Sequence, residues 1–433
     1  MSALELGREM YQLVEELYPI CRSITGDGVR RTLRTVGRLV PLETFEVPSG
    51  TQVFDWTVPK EWNIGDAWVK DARGERVVDF QESNLHVMSY STPVSATVSL
   101  AELSEHLFTL PEHPEWVPYR TSYYREAWGF CMSEARRSRL ADEAYEVCID
   151  ASLEDGHLTY AECFLPGRSE KEFLVSCHVC HPSLANDNLS GIAVASFLAR
   201  HLSRLELRYS YRFIFIPGTI GSITWLARNE EAAARIAHGL VVAGVGDGGP
   251  FTYKRSRQGS SEIDRAVANV LRHSGIPHHV VDFSPYGYDE RQFCSPGFDL
   301  PVGRFSRSPH GEYPEYHTSA DDLDLVSPDH LAGSFLQLLA VVDLVENNRT
   351  YLNTNPKCEP QLGRRGLYKV MGGQADQEVM QLALLWVLNQ ADGSHSLLDI
   401  AERSDLAFEV VLRAADALVK HGLLEETGRA GEP

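Results

Sequence analysis

No run of apolar residues in this chain approaches the roughly 20 that cross a bilayer, so it does not read as a membrane-spanning protein. Cations are scarce: 40 Lys and Arg stand against 60 Asp and Glu, a net charge of −20. Nucleic acids and anionic membranes need a cationic partner surface, so both are disfavoured. Cysteine is sparse too, eight in 433 residues without framework spacing, which points to free thiols in a reducing compartment. The opening stretch MSALELGREMYQLVEELY is an acidic amphipathic helix rather than a secretory signal. A cytoplasmic protein is therefore expected. Internal repeats and low-complexity tracts are absent.

What is there is an ordinary globular composition, 43% hydrophobic and 23% charged, in a chain too long for one core. Residues 5–40 carry the 3–4 spacing of a helix, through Leu6, Met10, Leu13, Val14, Leu17 and Tyr18. From about 46 to 100, short alternating runs and turn signals predict a small β domain, extending to about 140 if the mixed segment that follows belongs to it. From 145 to 345 strands and helices alternate. Strands are expected at 145–151, 158–164, 172–177, 211–216, 239–245 and 279–283, and helices at 189–204, 222–236, 260–274 and 329–346. This pattern predicts an α/β fold with a parallel or mixed sheet covered by helices on both faces. Residues 347–363 read as a linker. The tail from 364 to 433 predicts helices at 376–390, 396–403 and 407–421 and then a strand, together a winged helix.

The chemistry concentrates in SCHVCHPSLANDNLSG, residues 176–191. An apolar strand ends in His178, and Asp187 follows nine residues later at the start of a helix. The loop offers His178, His181 and Asp187, the residue types that ligate a divalent ion, and strand ends in an open α/β sheet are where ligands gather. Partners from other strand ends are at hand in Asp247, between glycines after an apolar strand, and in His317, with Asp321 and Asp322 close by to orient an imidazole. The string Cys177-His178-Val179-Cys180-His181 also matches a haem-attachment motif, but that chemistry needs an exported protein. A thiolate zinc site lacks a second cysteine pair.

In the order strand-His, Asp-x-x-Ser-Gly, strand-Gly-Asp and late His-Thr-Ser-x-Asp, the chain resembles the zinc aminopeptidase superfamily of bacterial leucyl aminopeptidases and glutaminyl cyclases. It is most similar to bacterial aminopeptidase-like proteins with an inserted β domain and a C-terminal winged helix. The strings CHPSLANDNLSG, PGTIGSITWL, YGYDERQF and PEYHTSADDLD carry the likeness. The resemblance implies an aminopeptidase-like domain from 1–45 and 101–346, an insert at 46–100 and a winged helix at 364–433. It implies one or two zinc ions, with His178 as a first-metal histidine, Asp187 as a bridging carboxylate, Asp247 as a second carboxylate of the first metal and His317 as the histidine of the second. Asp289 matches an aspartate that supports the ligands. The activity implied is metal-dependent hydrolysis of an amide or peptide bond in a small N-terminal aminoacyl substrate. A cyclase-like or other amide-processing enzyme of a biosynthetic pathway, or a ligand-sensing regulator, are the alternatives.

Two departures stand out. Cys180 occupies the place of an orienting aspartate, and Pro217-Gly218-Thr219 carries no acid where the superfamily keeps a Glu-Glu pair. A general base must therefore come from elsewhere, and Glu290 or Glu315 is the expected source. Tyr124 and Trp128, in an aromatic-basic stretch, and Arg257, in a small basic cluster, are candidate substrate contacts. From Gln361 to Pro433 there are 11 acidic and 7 basic residues, a net of −4. The winged helix is thus expected to serve protein docking or homo-oligomer formation rather than DNA binding.

Overall fold

A computed structural model describes residues 2–367 and 374–427, and their contacts divide the chain into two compact units. The first runs to Gly259 and includes His279–Phe335. The second holds Ser260–His278 and the residues from Leu336 onward.

The N-terminal helical expectation resolves into two helices, α1 (Ala3–Leu17) and α2 (Asp27–Val36). Ser2 and Glu5 form a capping box at the start of α1, whose buried face is Met10, Leu13, Val14 and Leu17. Pro19 and Gly26, the latter with φ of +98°, lie in the break between them.

The first unit is built on an eight-stranded sheet. In chain order its strands are β1 (Glu43–Pro48), β2 (His157–Leu165), β3 (Glu172–His178), β4 (Ser210–Ile216), β5 (Ile236–Val242), β6 (Phe251–Lys254), β7 (His278–Val281) and β8 (Val302–Ser306). They lie side by side as β1-β2-β4-β3-β5-β8-β6-β7. The pairs β3–β4, β3–β5 and β5–β8 are parallel, whereas β1–β2, β2–β4 and β6–β8 are antiparallel. Every residue of β3 is buried, as a strand covered on both faces requires. Helices α3 (Gly191–Leu202) and α4 (Ile220–Arg228) follow β3 and β4. Leu174, Ile214, Ile216 and Val241 share one core with Trp225 of α4 and Phe293.

The chain leaves β3 for β4 on one side and comes back from β4 to β5 on the other. The C-terminal end of β3 is thus a switch point, where the connections diverge and leave a crevice.

A second sheet, ordered Arg76–Asp79, Glu61–Lys70, Ala144–Glu154, Val94–Ser99, forms the insert. It runs past the expected boundary at 100 and past 140. The strand expected at 145–151 in the main sheet belongs here. Ala67, Val69, Val78, Tyr145, Val147 and Ile149 are its buried face, packed with Phe130 and Met132.

The second unit contains α5 (Glu262–His273), the end of α6 (Pro328–Asn347), and three helices: α7 (Gln374–Gln390), α8 (Leu397–Ser404) and α9 (Phe408–Lys420). A three-stranded sheet completes this winged helix, with Thr350–Asn353 between Asp392–Ser396 and Leu424–Thr427. The segment expected to be a linker therefore supplies the central strand. Gly422, with φ of +66°, ends α9 as a left-handed cap. Among the described residues no helix is long and apolar enough to cross a membrane.

Candidate metal centre

His178 is the last residue of β3, and the loop after it is tied down at several points. The fully buried Arg22, ahead of α2, donates through Nε to the His181 carbonyl at 2.7 Å and through Nη2 to the Pro182 carbonyl at 2.9 Å. Asp321 accepts the backbone N–H groups of Asn186 and Asp187, the latter at 3.0 Å. Asp187 itself is non-helical, with φ of −108° and ψ of 80°, immediately before α3. Asp321 thus holds the backbone at Asp187, whose carboxylate faces the strand end at His178.

Three imidazoles converge on that carboxylate. His178 Nε2 lies 2.8 Å from Asp187 Oδ1, and His181 Nδ1 and His317 Nε2 lie 3.5 and 3.1 Å from Oδ2. The ligand atoms of His178, His181 and Asp187 all fall within 4.8 Å of one another. The His181 and His317 nitrogens are buried and make no hydrogen bond. Burial, with His178 and His317 adding to it and Asp187 opposing, pushes His181 down to about 3. Burial works against ionised Asp187, but His181, His178 and His317 outweigh it and hold the carboxyl well below its ordinary range. A buried carboxylate ringed by three imidazoles, two of them with a buried nitrogen that makes no hydrogen bond, is a donor set suited to a divalent cation.

His317 is held by the excursion through the insert. It has φ of +55°, the left-handed region, and its carbonyl accepts the Tyr119 N–H at 2.8 Å. Val117 and Ser319 exchange a further pair of hydrogen bonds on either side.

The remaining candidates are placed as follows. Asp247 lies outside the three-residue group: Oδ2 accepts from Asn186 at 2.6 Å, and Oδ1 from Gly249 N and from Ser308 Oγ at 2.6 and 2.9 Å. Asp289 is fully buried; Oδ1 accepts the Ser222 hydroxyl at 2.7 Å, and Oδ2 has no partner. Burial raises this carboxyl to about 6, with His178 pulling the other way. Burial likewise raises Asp321 to about 8.

Glu290 is not free to accept a proton. It is completely buried, with Lys254 Nζ at 2.9 Å from Oε1 and the Tyr288 N–H at 3.0 Å from Oε2. Arg304 and Lys254 hold it below the usual carboxylate range against burial. Glu315 is half-buried, and its side chain has no ion pair or hydrogen bond among the described residues.

A cavity of about 260 Å³ opens beside the cluster, lined by His181, His317, Tyr119, Tyr123, Tyr124, Trp56, Thr219, Tyr288 and Arg291 among others. Tyr124 is thus at the site. Trp128 is not: it stacks on His106 with ring centroids 3.5 Å apart. Arg257 pairs with Asp299 at 2.7 Å. Cys180, where an orienting aspartate was missed, contacts Tyr288 Oη at 3.4 Å, and burial pushes its thiol up to about 12. Sequence reasoning passed over Arg22 and left His181 out of the ligand set. The placement of His181 three residues after His178 in one loop was the available signal. For Arg22 there was none.

Residues 11–348 match a family described as a domain of unknown function, DUF4910, and residues 349–426 match a winged helix-turn-helix family. A Clostridium acetobutylicum protein named for polysaccharide biosynthesis and an aminopeptidase-like domain is 54% identical over 424 residues, 98% of each chain. A crystal structure from Clostridium acetobutylicum, named as a peptidase, is 52% identical with a TM-score of 0.94, over 98% of this chain and 97% of that one. The zinc aminopeptidase BSAP of Bacillus subtilis is 13% identical with a TM-score of 0.57, over 78% of this chain and 94% of its own. That last likeness is one of fold alone.

Proposed function

The chain belongs to the family of that domain, DUF4910, with a winged helix appended, and from the geometry of its buried cluster we propose that it is a metal-dependent hydrolase of an amide or peptide bond. The observation that carries this is the convergence of His178, His181 and His317 on Asp187, with two imidazole nitrogens buried and unbonded. These four residues would hold the ion, zinc by the chemistry of the set. Asp321 holds the backbone N–H of Asp187. When bound, the ion supplies Lewis-acid polarisation of a carbonyl and a lowered pKa for water.

The cavity of about 260 Å³ admits a small substrate, with Tyr119, Tyr123 and Tyr124 as its wall. An aminoacyl group is the expected cargo. One observation favours the second reading, amide processing without peptidolysis: among the described lining residues of this cavity there is no carboxylate to receive a free ammonium. None of the eight cysteines forms a disulfide, which supports a reducing compartment such as the cytoplasm.

Metal analysis of gently purified protein tests the reading. The wild type is expected to hold zinc and a His178→Ala/His317→Ala double variant to lose it. Equal, negligible zinc in both would remove the metal centre.

A further inference from the structure

Arg304 of β8 stands directly across from Lys254 of β6 in an antiparallel pair, so the two side chains leave the sheet on the same face. They share a single carboxylate. Lys254 Nζ donates to Glu290 Oε1 at 2.9 Å and to the Tyr286 carbonyl at 2.8 Å, while Glu290 Oε2 accepts the Tyr288 N–H. Arg304 Nη1 is 3.9 Å from the Oε1 that Lys254 already occupies. It donates to His310 Nδ1, a neutral acceptor, and its Nε has no hydrogen-bond partner. Arg304 is 5% exposed, so this is a buried guanidinium that shares its carboxylate with Lys254 and keeps one N–H without a hydrogen bond.

Its surroundings say what the unbonded donor is for. Arg304 and His310 line a small cavity together with His178 and Asp187 of the metal centre. Its volume is about 20 Å³, room for one water-sized group. That cavity shares Tyr288 with the larger one, where Arg291 is the lining cation. Among the described lining residues of both cavities Asp187 is the one carboxylate, and it faces the imidazoles.

We propose that Arg304 binds a carboxylate oxygen of the substrate, so that the protein acts on an acidic amide rather than on a neutral or cationic aminoacyl group. A guanidinium N–H makes a strong, charge-assisted hydrogen bond to a carboxylate oxygen. The free space takes one oxygen and is too small for a phosphoryl group. The unbonded Nε–H is buried at rest, so it is matched by an acceptor that the substrate already carries, not by one that develops only during reaction. The inference rests on the hydrolase reading for the bond that is cleaved, but the binding step stands apart from it.

Calorimetry with succinate and with its uncharged diamide as probes decides the matter, on zinc-loaded and on chelator-treated protein. Succinate is expected to bind wild type more tightly than the diamide in both states. Arg304→Gln should weaken succinate by about tenfold or more and leave the diamide unchanged. Arg304→Lys, which keeps the charge but not the Nε–H, should fall between, and it decides the question if the Gln variant does not fold. No preference for succinate in wild type, or a preference retained by Arg304→Gln or undiminished in Arg304→Lys, would overturn the proposal. So would an Arg304→Gln variant that slows neutral and acidic amides equally, since the guanidinium would then act on the developing oxyanion. A protein that binds no zinc but still shows the Arg304-dependent preference refutes the hydrolase and leaves the carboxylate subsite standing.

Discussion

Glu290 illustrates how a buried side chain is defined by its neighbours. Lys254 and Arg304 are both buried against it, and it is the carboxylate between them. Glu290→Gln strips both cations of that charge. Losing one partner of a buried ion pair costs about 3–5 kcal/mol. Urea unfolding of Glu290→Gln should show a loss of that size, with zinc content retained in the folded fraction. A base, by contrast, would leave stability alone and reduce turnover. Glu315→Gln, whose side chain is unpaired among the described residues, is expected to leave the unfolding midpoint unchanged. The sequence could indicate that a Glu followed Asp289 in a loop near the histidines. It could not indicate that Lys254, 36 residues away and in a strand the pattern did not predict, reaches the same carboxylate.

Elements are joined by a few charged contacts, of which Arg30 is the clearest. From α2 it donates to both oxygens of Glu61, on the long strand of the insert, at 2.6 and 2.8 Å, and to Glu46 of β1 at 2.6 Å. Hydrogen bonding to Arg30 depresses Glu61 to about 2 from an ordinary 4.5, although burial opposes it. A depressed carboxyl contributes stability that is complete above about 4.5 and fades as pH falls toward 2. Arg30→Gln should therefore be less stable than wild type at neutral pH, by about 1 kcal/mol after allowance for solvent screening. The gap should close across that acid window in thermal melts. A gap that did not change with pH would mean that packing, not charge, joins these elements. Legibility at this scale followed burial. Strands β3, β4 and β5 are apolar runs and were plain in the sequence. Strands β6 and β8 were not, because Lys254, Gly303 and Arg304 interrupt them. The strand at Ala144–Glu154 alternates and was recognised, but a period of two does not say which sheet a strand joins. Thr350–Asn353 has only four residues next to a proline-containing stretch, and its pairing partners lie some 40 to 75 residues onward.

At the scale of the molecule, charge decides which partners can approach. The net charge is −20, and the tail from Gln361 carries −4 of it. The full chain is expected to show no salt-sensitive DNA binding in fluorescence anisotropy at physiological ionic strength. A steep fall in affinity between 50 and 200 mM salt, about 10³-fold or more, would reveal phosphate contacts and reverse that view. The route of the chain around the site has a kinetic side. His178, His181 and Asp187 sit in one short loop, but His317 is brought to them by hydrogen bonds such as Val117 N–H to Ser319 Oγ, across 202 residues. Contacts that remote form late, after most of the loop-closure entropy has been met. A growing chain thus holds His178, His181 and Asp187 before residue 317 has been made, so the proposed site is completed only when the chain closes on itself.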